Sequence, residues 1–235
     1  MQLVQLSVGG GPPRDGLPEA DRQVATDAAG VDAVLTELAA GAEPDVLASK
    51  IRLVLDADLA GLNLALHRLM RHGLLEMLET AVLTPAPVPY LSQLGLPAEL
   101  AGQLEVARHA PARLVGVVKD DSGGVCVDNA RLSPWPEQPG APWWLRAVVD
   151  DQRLADGAAR ELRLRRLGPA ELEASVRLGR FRRRTYRGRS LQLACDPALI
   201  VADGVARERP RGKRTFWSEP KLWRLALPPG RSPGQ

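Results

Sequence analysis

Polar and apolar residues alternate through Gln2 to Val8 (QLVQLSV), the two-residue period of a half-buried strand, and the run ends in Gly9, Gly10, Gly11, Pro12 and Pro13, which predicts a loop. From Val24 to Ala40 an Ala-rich stretch places Val31, Val34, Leu35 and Leu38 on one helical face, and Gly41 closes it. Ile51 to Leu55 (IRLVL) is a short, nearly continuous apolar run, as expected of a parallel strand buried on both faces. Leu59, Leu62, Leu66, Leu69 and Met70 then recur at three- and four-residue spacing, predicting an amphipathic helix that begins near Asp58. Ala81 to Leu83 predicts a third strand. A proline-broken loop, TPAPVPY, and a weak helix from Leu91 follow. The order β, α, β, α, β argues for a parallel sheet with crossover helices.

Beyond Leu114 the texture changes. VGVVKDDSGGVCVDNARL predicts two short strands around an Asp-Asp-Ser-Gly-Gly turn, and the proline density of SPWPEQPGAPWW excludes regular structure. From Trp144 onward only strand-sized segments appear: LRAVVD, RELRLRRL, LEASVRL, TYRGRSLQLAC, ALIVADGV, KRTFWS and KLWRLAL. DG, GP, DP and RG turn signals separate them. The predicted fold is therefore α/β plus β: a small Rossmann-like half with a parallel sheet, residues 1–118, followed by an antiparallel β-sandwich-like half, residues 119–235. The last strands are free to return to the first domain. No fixed-period repeat recurs, which disfavours a solenoid or propeller.

A chain of 235 residues with 45% hydrophobic content can bury a sizeable core. No apolar run approaches the roughly 18–20 residues needed to span a bilayer. The N-terminus has neither a basic lead-in nor a cleavage signal, so a cytoplasmic protein is expected. Cys126 and Cys195 lack CxxC partners, which excludes a zinc ribbon, an iron–sulfur cluster or a disulfide scaffold and makes both core residues. Charge is divided unevenly. Residues 151–235 hold 20 Lys/Arg against 9 Asp/Glu, a net +11, whereas residues 1–150 hold 11 against 19, a net −8. The asymmetry suits halves that attract each other, a basic face for an anionic partner, or an Arg-rich composition without functional demand.

Particular segments of this layout resemble the diacylglycerol kinase catalytic-domain family, the bacterial lipid kinases related to sphingosine kinases. In that family a buried strand ends in a GGDGT motif that opens a helix; here LVLDADLAGLNLALHRL holds the same place, with Asp58 at the motif's aspartate. The family's second loop, similar to LPxGTxNDxAxxLGLP, is matched by VLTPAPVPYLSQLGLP, retaining Leu94, Gly95, Leu96 and Pro97. LEVARHAPARLVGVVKDDSGGVCVDN resembles the following helix and strand, and IVADGVARE with KLWRLALPP looks like the family's DGE turn and last strands. The likeness covers roughly residues 50 to 228. By position it implies nucleotide-binding roles for Asp56, Asp58, Thr84 and Asp203, with ATP and Mg²⁺ as cofactors of an active enzyme.

The chemistry departs from the pattern at each motif. GGDGT works because bare glycines let backbone N–H groups approach phosphate at a helix N-terminus. Here Asp56-Ala57-Asp58-Leu59-Ala60 brings two carboxylates and added side-chain bulk to that place. In the second loop Pro85 and Pro87 lack the backbone donors that the motif offers. The glutamate taken as the family's general base corresponds to Val205, which cannot accept a proton, so no catalytic residue is assigned and no cofactor is expected.

Other candidates have plainer readings. Asp56 and Asp58 could contact metal or ribose, but a carboxylate opening a helix is foremost an N-cap. Gly9 to Gly11 could form an anion nest, but the absence of a following Lys or Ser/Thr favours a connector. Asp120, Asp121 and Asp128 could collect Mg²⁺, yet DDSGG is also a plain turn. His67 and His72, about 140° apart on one helix, cannot bind a metal jointly. Arg180, Arg182, Arg183, Arg184, Arg187 and Arg189 with Phe181 and Tyr186, and Arg211, Lys213 and Arg214 near Phe216 and Trp217, form the most prominent positive feature. They read either as a solvated sheet face or as an anion-facing surface.

The expected function is a pseudokinase with a binding or regulatory role. Its expected partner is an anionic lipid or membrane surface met through the basic half, and a protein partner and a homo-oligomer stay open. The alternatives are an active ATP-dependent lipid kinase and a basic β module for nucleic acid. The last is disfavoured because no nucleic-acid module is recognisable.

Overall fold

The computed structural model describes residues 1–9, 13–40, 50–135, 141–206 and 211–229. It divides into two compact units, Met1–Val115 with Lys221–Gln235, and Gly116–Pro220.

The first unit is built on parallel strands β1 (Gln2–Val8), β2 (Asp21–Ala25), β3 (Ile51–Ala57) and β4 (Glu79–Leu83), in the order β4-β3-β1-β2. Its helices are α1 (Ala28–Ala40), α2 (Leu59–Arg71), α3 (Pro89–Gln93) and α4 (Leu100–His109). The IRLVL run is buried along its length, as a strand covered on both faces must be. Helix α1 starts four residues later than the Ala-rich pattern predicts, because Val24 belongs to β2, which pairs in register with β1. Strand pairing overrides the helical propensity of VATDA there, and Gly41 lies outside the described residues. Gly73, at φ +71°, ends α2: its N–H donates to the Met70 carbonyl and that of Leu74 to Leu69.

The second unit is antiparallel, with strands running from β5 (Ala112–Asp120) into β6 (Val125–Cys126), β7 (Asn129–Pro134), β8 (Trp143–Val149), β9 (Gln152–Ala159), β10 (Glu161–Arg166), β11 (Leu172–Arg177), β12 (Arg183–Gly188), β13 (Ser190–Ala202), β14 (Val205–Ala206) and β15 (Arg211–Ala226). β13 joins two layers. Residues 191–195 pair with β8 and residues 198–202 with β7, with an irregularity between Ala194 and Ala198. One layer continues β7-β10-β11-β12; the other holds β9, β8 and β15. Alternate residues of β8 (Trp143, Leu145, Ala147, Val149) and of β11 (Leu172, Ala174, Val176) fill the core between them.

Three punctuation signals behave otherwise than the sequence predicts. Asp156-Gly157 lies inside β9, with Gly157 at φ +125°; the β8–β9 turn uses Asp150, at φ +48°, and Asp151. Pro197 and Pro220 lie within β13 and β15 rather than ending them, the first where β13 changes partners and the second where β15 passes between units. The proline-rich SPWPEQPGAPWW contributes Ser133 and Pro134 to β7 and Trp143 and Trp144 to β8, while residues 136–140 lie outside the described set.

The end of β15 belongs to the first unit. Leu225 pairs in parallel with Thr80 of β4, and the buried Trp223 donates its indole N–H to Thr80 Oγ1 at 2.6 Å. Among the described residues no helix is long and apolar enough to cross a membrane.

Candidate functional site

The chain leaves β1 for β2 on one side and returns to β3 on the other, so the carboxyl ends of β1 and β3 form the switch point where open parallel sheets bind ligands. The structure brings both altered loops to this mouth. Ser7, Val8, Gly9, Asp56, Ala57, Asp58 and Pro85 line one cavity there, together with Arg14. Gly10, Gly11 and Pro12 lie outside the described residues. Gly61 lets α2 approach the end of β1, since a Cβ there would meet the Val8 carbonyl oxygen at 2.8 Å.

Asp56 is buried at the end of β3 and already fully engaged. Its carboxylate accepts from Gln5 Nε2 at 2.9 Å, Ser7 Oγ at 3.3 Å and the backbone N–H of Arg14 at 2.6 Å, and it forms a close ion pair with the Arg14 guanidinium. Arg14 Nη1 also donates to the Leu83 carbonyl at the end of β4, at 2.8 Å. Arg14 was not a sequence candidate. A buried carboxylate ending a strand demands a cation, but nothing in the local pattern says that it lies 42 residues upstream.

Asp58 is the N-cap of α2, its Oδ1 accepting from Gly61 N–H at 2.8 Å. The helix N-terminus thus holds its own anion. Thr84 donates its backbone N–H to Gln103 Oε1 at 2.9 Å and its hydroxyl to the Ala86 carbonyl at 2.8 Å. The buried Gln103, a second residue unflagged by the sequence, also bonds the Pro97 carbonyl at 3.0 Å and so fixes the second loop at both ends.

The remaining positions lie in the second unit. Asp203 is buried in a left-handed turn at φ +51° and accepts from the backbone N–H groups of Val127, Asp128 and Asn129 at 2.5, 3.0 and 2.9 Å. Val205 sits half-buried on β14, paired across from Ala202. Asp120 accepts from Ser122 Oγ and from the amides of Ser122 and Gly124, while Asp121 pairs with Arg214 at 2.8 Å. Among the described residues no group of three acidic, His or Cys side chains could hold a metal. His72 instead reaches Asp32, which a close pair with Arg68 holds below the usual carboxylate range. Cys126 and Cys195 are buried thiols outside any disulfide; burial, with Asp196 adding to it, pushes the Cys195 thiol up to about 12.

The basic stretch does not form one surface. Arg214, expected on the anion-facing surface, is instead buried and bound to Asp121, because its position on β15 alternates with Lys213 and faces inward. Arg187 pairs with Glu173 at 3.4 Å, and the Arg189 backbone N–H is bonded to Asp150. Exposed arginines concentrate at the β11–β12 hairpin tip, where Leu178 N–H donates to the Arg182 carbonyl. Arg180, Arg182, Arg183 and Arg184 are exposed there next in sequence to Phe181, which is 91% exposed, with the Arg180 guanidinium 5.2 Å from its ring. Lys213 stands on the other layer, and the side chain of Arg211 is outside the described set.

The mouth of the first unit is narrow and holds little unpaired positive charge among the described residues. Its cavity is about 190 Å³, below the roughly 300–1,000 Å³ of small-molecule sites. Among its described lining residues the one cation, Arg14, is paired with Asp56, Asp58 adds negative charge, and Pro85 offers no N–H.

No family model and no curated protein matches the chain. Solved structures do match along nearly its whole length. A diacylglycerol kinase from Bacillus anthracis is 10% identical, with TM-score 0.68 over 97% of each chain, and a putative diacylglycerol kinase of that organism gives 0.70. An NAD kinase from Archaeoglobus fulgidus in complex with ATP gives 0.60 at 9% identity, covering 96% of this chain and 93% of its own. The chain therefore has the fold of diacylglycerol kinases and NAD kinases, a parallel N-terminal sheet followed by antiparallel strands.

Proposed function

We propose that this chain, built on the fold of diacylglycerol and NAD kinases, transfers no phosphoryl group and acts as a binding protein whose basic β unit engages an anionic membrane surface. One observation carries the first half of the reading: Arg14 fills the mouth where β1, β3 and β4 end, bound at once to the Asp56 carboxylate and the Leu83 carbonyl. An anion entering there must draw the half-buried Arg14 off the buried Asp56 carboxylate, which leaves that carboxylate uncompensated. Each residue that family position would assign to nucleotide instead holds the chain's own backbone: Asp58 on Gly61, Thr84 on Ala86, Asp203 on residues 127–129. Val205 supplies no base.

The hairpin tip supports the second half. An almost fully exposed phenylalanine among four arginines combines an apolar wedge with cations that headgroup phosphates attract. The likeness to diacylglycerol kinases favours an ATP-dependent lipid kinase as the rival reading.

Thermal unfolding with millimolar ATP and Mg²⁺ separates the two. The binding-protein reading expects an unchanged midpoint, because a ligand that does not bind the folded state cannot stabilise it. A saturable rise, or ADP release with diacylglycerol vesicles, overturns that reading. Sedimentation with phosphatidylcholine vesicles containing phosphatidylserine tests the surface: binding is expected to weaken steeply with salt and to fall at least tenfold in Phe181→Ser.

A further inference from the structure

We propose that the outer face of β8, β13 and β15 in the second unit carries a binding pocket for a phosphate group. This inference does not depend on the function proposed above.

Strand register builds the pocket. Arg146 of β8 and Lys213 of β15 both lie directly opposite Ala194 of β13. Residues directly opposite in neighbouring strands project to the same face, and strands stand about 4.8 Å apart, so two cations flank a single methyl group with roughly 10 Å between their backbones. The next row on that face is Val148, Gln192 and Thr215, which sets an amide and a hydroxyl beside the cations. These residues line one cavity of about 470 Å³, within the range of small-molecule sites.

Charge in the pocket is unbalanced. Arg146 and Lys213 are exposed and form no ion pair among the described residues; Asp156 of β9, directly opposite Arg146, pairs with Arg153 at 3.7 Å instead. The one carboxylate in the lining, Asp121, is already held by Arg214 Nη1 at 2.8 Å and by the Thr215 N–H at 3.1 Å. Arg214 also lines the cavity. It is 6% exposed, and its buried Nε has no hydrogen-bond partner. The guanidinium of Arg146 offers a planar fork and Lys213 a point charge, a pair suited to a tetrahedral oxyanion. Gln192 and Thr215 can orient the group that carries it. A free phosphate monoester and a lipid headgroup share this chemistry.

Thermal unfolding of the full chain is followed while inorganic phosphate replaces chloride at constant ionic strength. A saturable rise in midpoint is expected in the wild type, with affinity reduced at least tenfold in Arg146→Ala and abolished in Arg146→Ala/Lys213→Ala. Both positions are exposed, and Lys213→Glu provides a second variant should the double substitution fail to fold. A second arm adds phosphatidic acid vesicles to Phe181→Ser, which removes the hairpin wedge. Vesicle binding that phosphate displaces identifies a lipid headgroup as the source; phosphate binding without vesicle binding identifies a free ester. Either result supports the pocket. The absence of a saturable phosphate effect, or an equal effect in the double variant, overturns it. Neither outcome bears on whether Arg14 excludes ATP, so the two readings fail separately.

Discussion

Asp203 and Asn129 bind each other reciprocally: the Asp203 N–H donates to the Asn129 carbonyl at 2.8 Å, and the Asp203 carboxylate accepts from the Asn129 N–H at 2.9 Å. With the Val127 and Asp128 amides on the same carboxylate, Asp203 ties the β13–β14 turn to the start of β7. Asp203→Ala leaves three buried or half-buried donors unsatisfied, at about 1–3 kcal/mol each, and places alanine at positive φ. The expected loss is at least about 3 kcal/mol in urea unfolding. Asp203→Asn, which tolerates that backbone and keeps one acceptor oxygen, is expected to lose less.

Arg14→Ala removes the cation from a buried carboxylate. Breaking such a pair from one side costs about 3–5 kcal/mol when both partners are buried. Arg14 is partly exposed, so the lower end is expected. Arg14→Ala/Asp56→Asn is expected to recover part of the loss. ATP should leave the unfolding midpoint of both variants unchanged, since Asp58 and Pro85 remain.

Gly61→Ala would raise helix propensity at an exposed site by about 1 kcal/mol. Here the new Cβ lies 2.8 Å from the Val8 carbonyl oxygen and 3.1 Å from the Ala57 Cβ. The expected net effect is a loss of about 1–3 kcal/mol, from forced separation of α2 and β1. A gain in the denaturation midpoint would mean that α2 can shift freely.

Burial alone would raise the Asp120 carboxyl, but the Ser122 hydroxyl, the amides of Gly124 and Ser122, and the Arg214 charge outweigh it and hold the group below its ordinary 3.8. A carboxyl that binds protons less readily folded than unfolded stabilises the fold above the unfolded value. That contribution is lost as pH falls through the folded one. Urea midpoints are therefore expected to drop below about pH 4. In Asp120→Asn the midpoint at pH 7 falls and the acid-dependent drop shrinks.

Elements whose pattern is local were legible in the sequence. IRLVL announces a doubly covered strand, the Leu59–Met70 spacing gives α2, and LRAVVD gives most of a sandwich strand. The misplaced features depend on contacts distant in sequence. Asp156-Gly157 has the composition of a turn, but β8 captures it as a strand, and Pro197 is tolerated because β13 exchanges β8 for β7 at that point. At the mouth of the first unit the loss of glycines was visible in DADLA and TPAPV. The plug was not, because Arg14 is one of eleven cations among residues 1–150 and only folding selects it for Asp56. Arg214 looked like its neighbours in an arginine-rich stretch; strand parity alone buries it.

Trp223 and Thr80 touch across 143 residues of chain. A ribosome adding about 5–20 residues per second exposes β4 on the order of ten seconds before Trp223 and Leu225 emerge to cover its edge. Throughout that interval the nascent sheet presents an open row of backbone donors and acceptors, a template for pairing with other chains. A first unit built from one contiguous segment would close that edge as soon as it emerged.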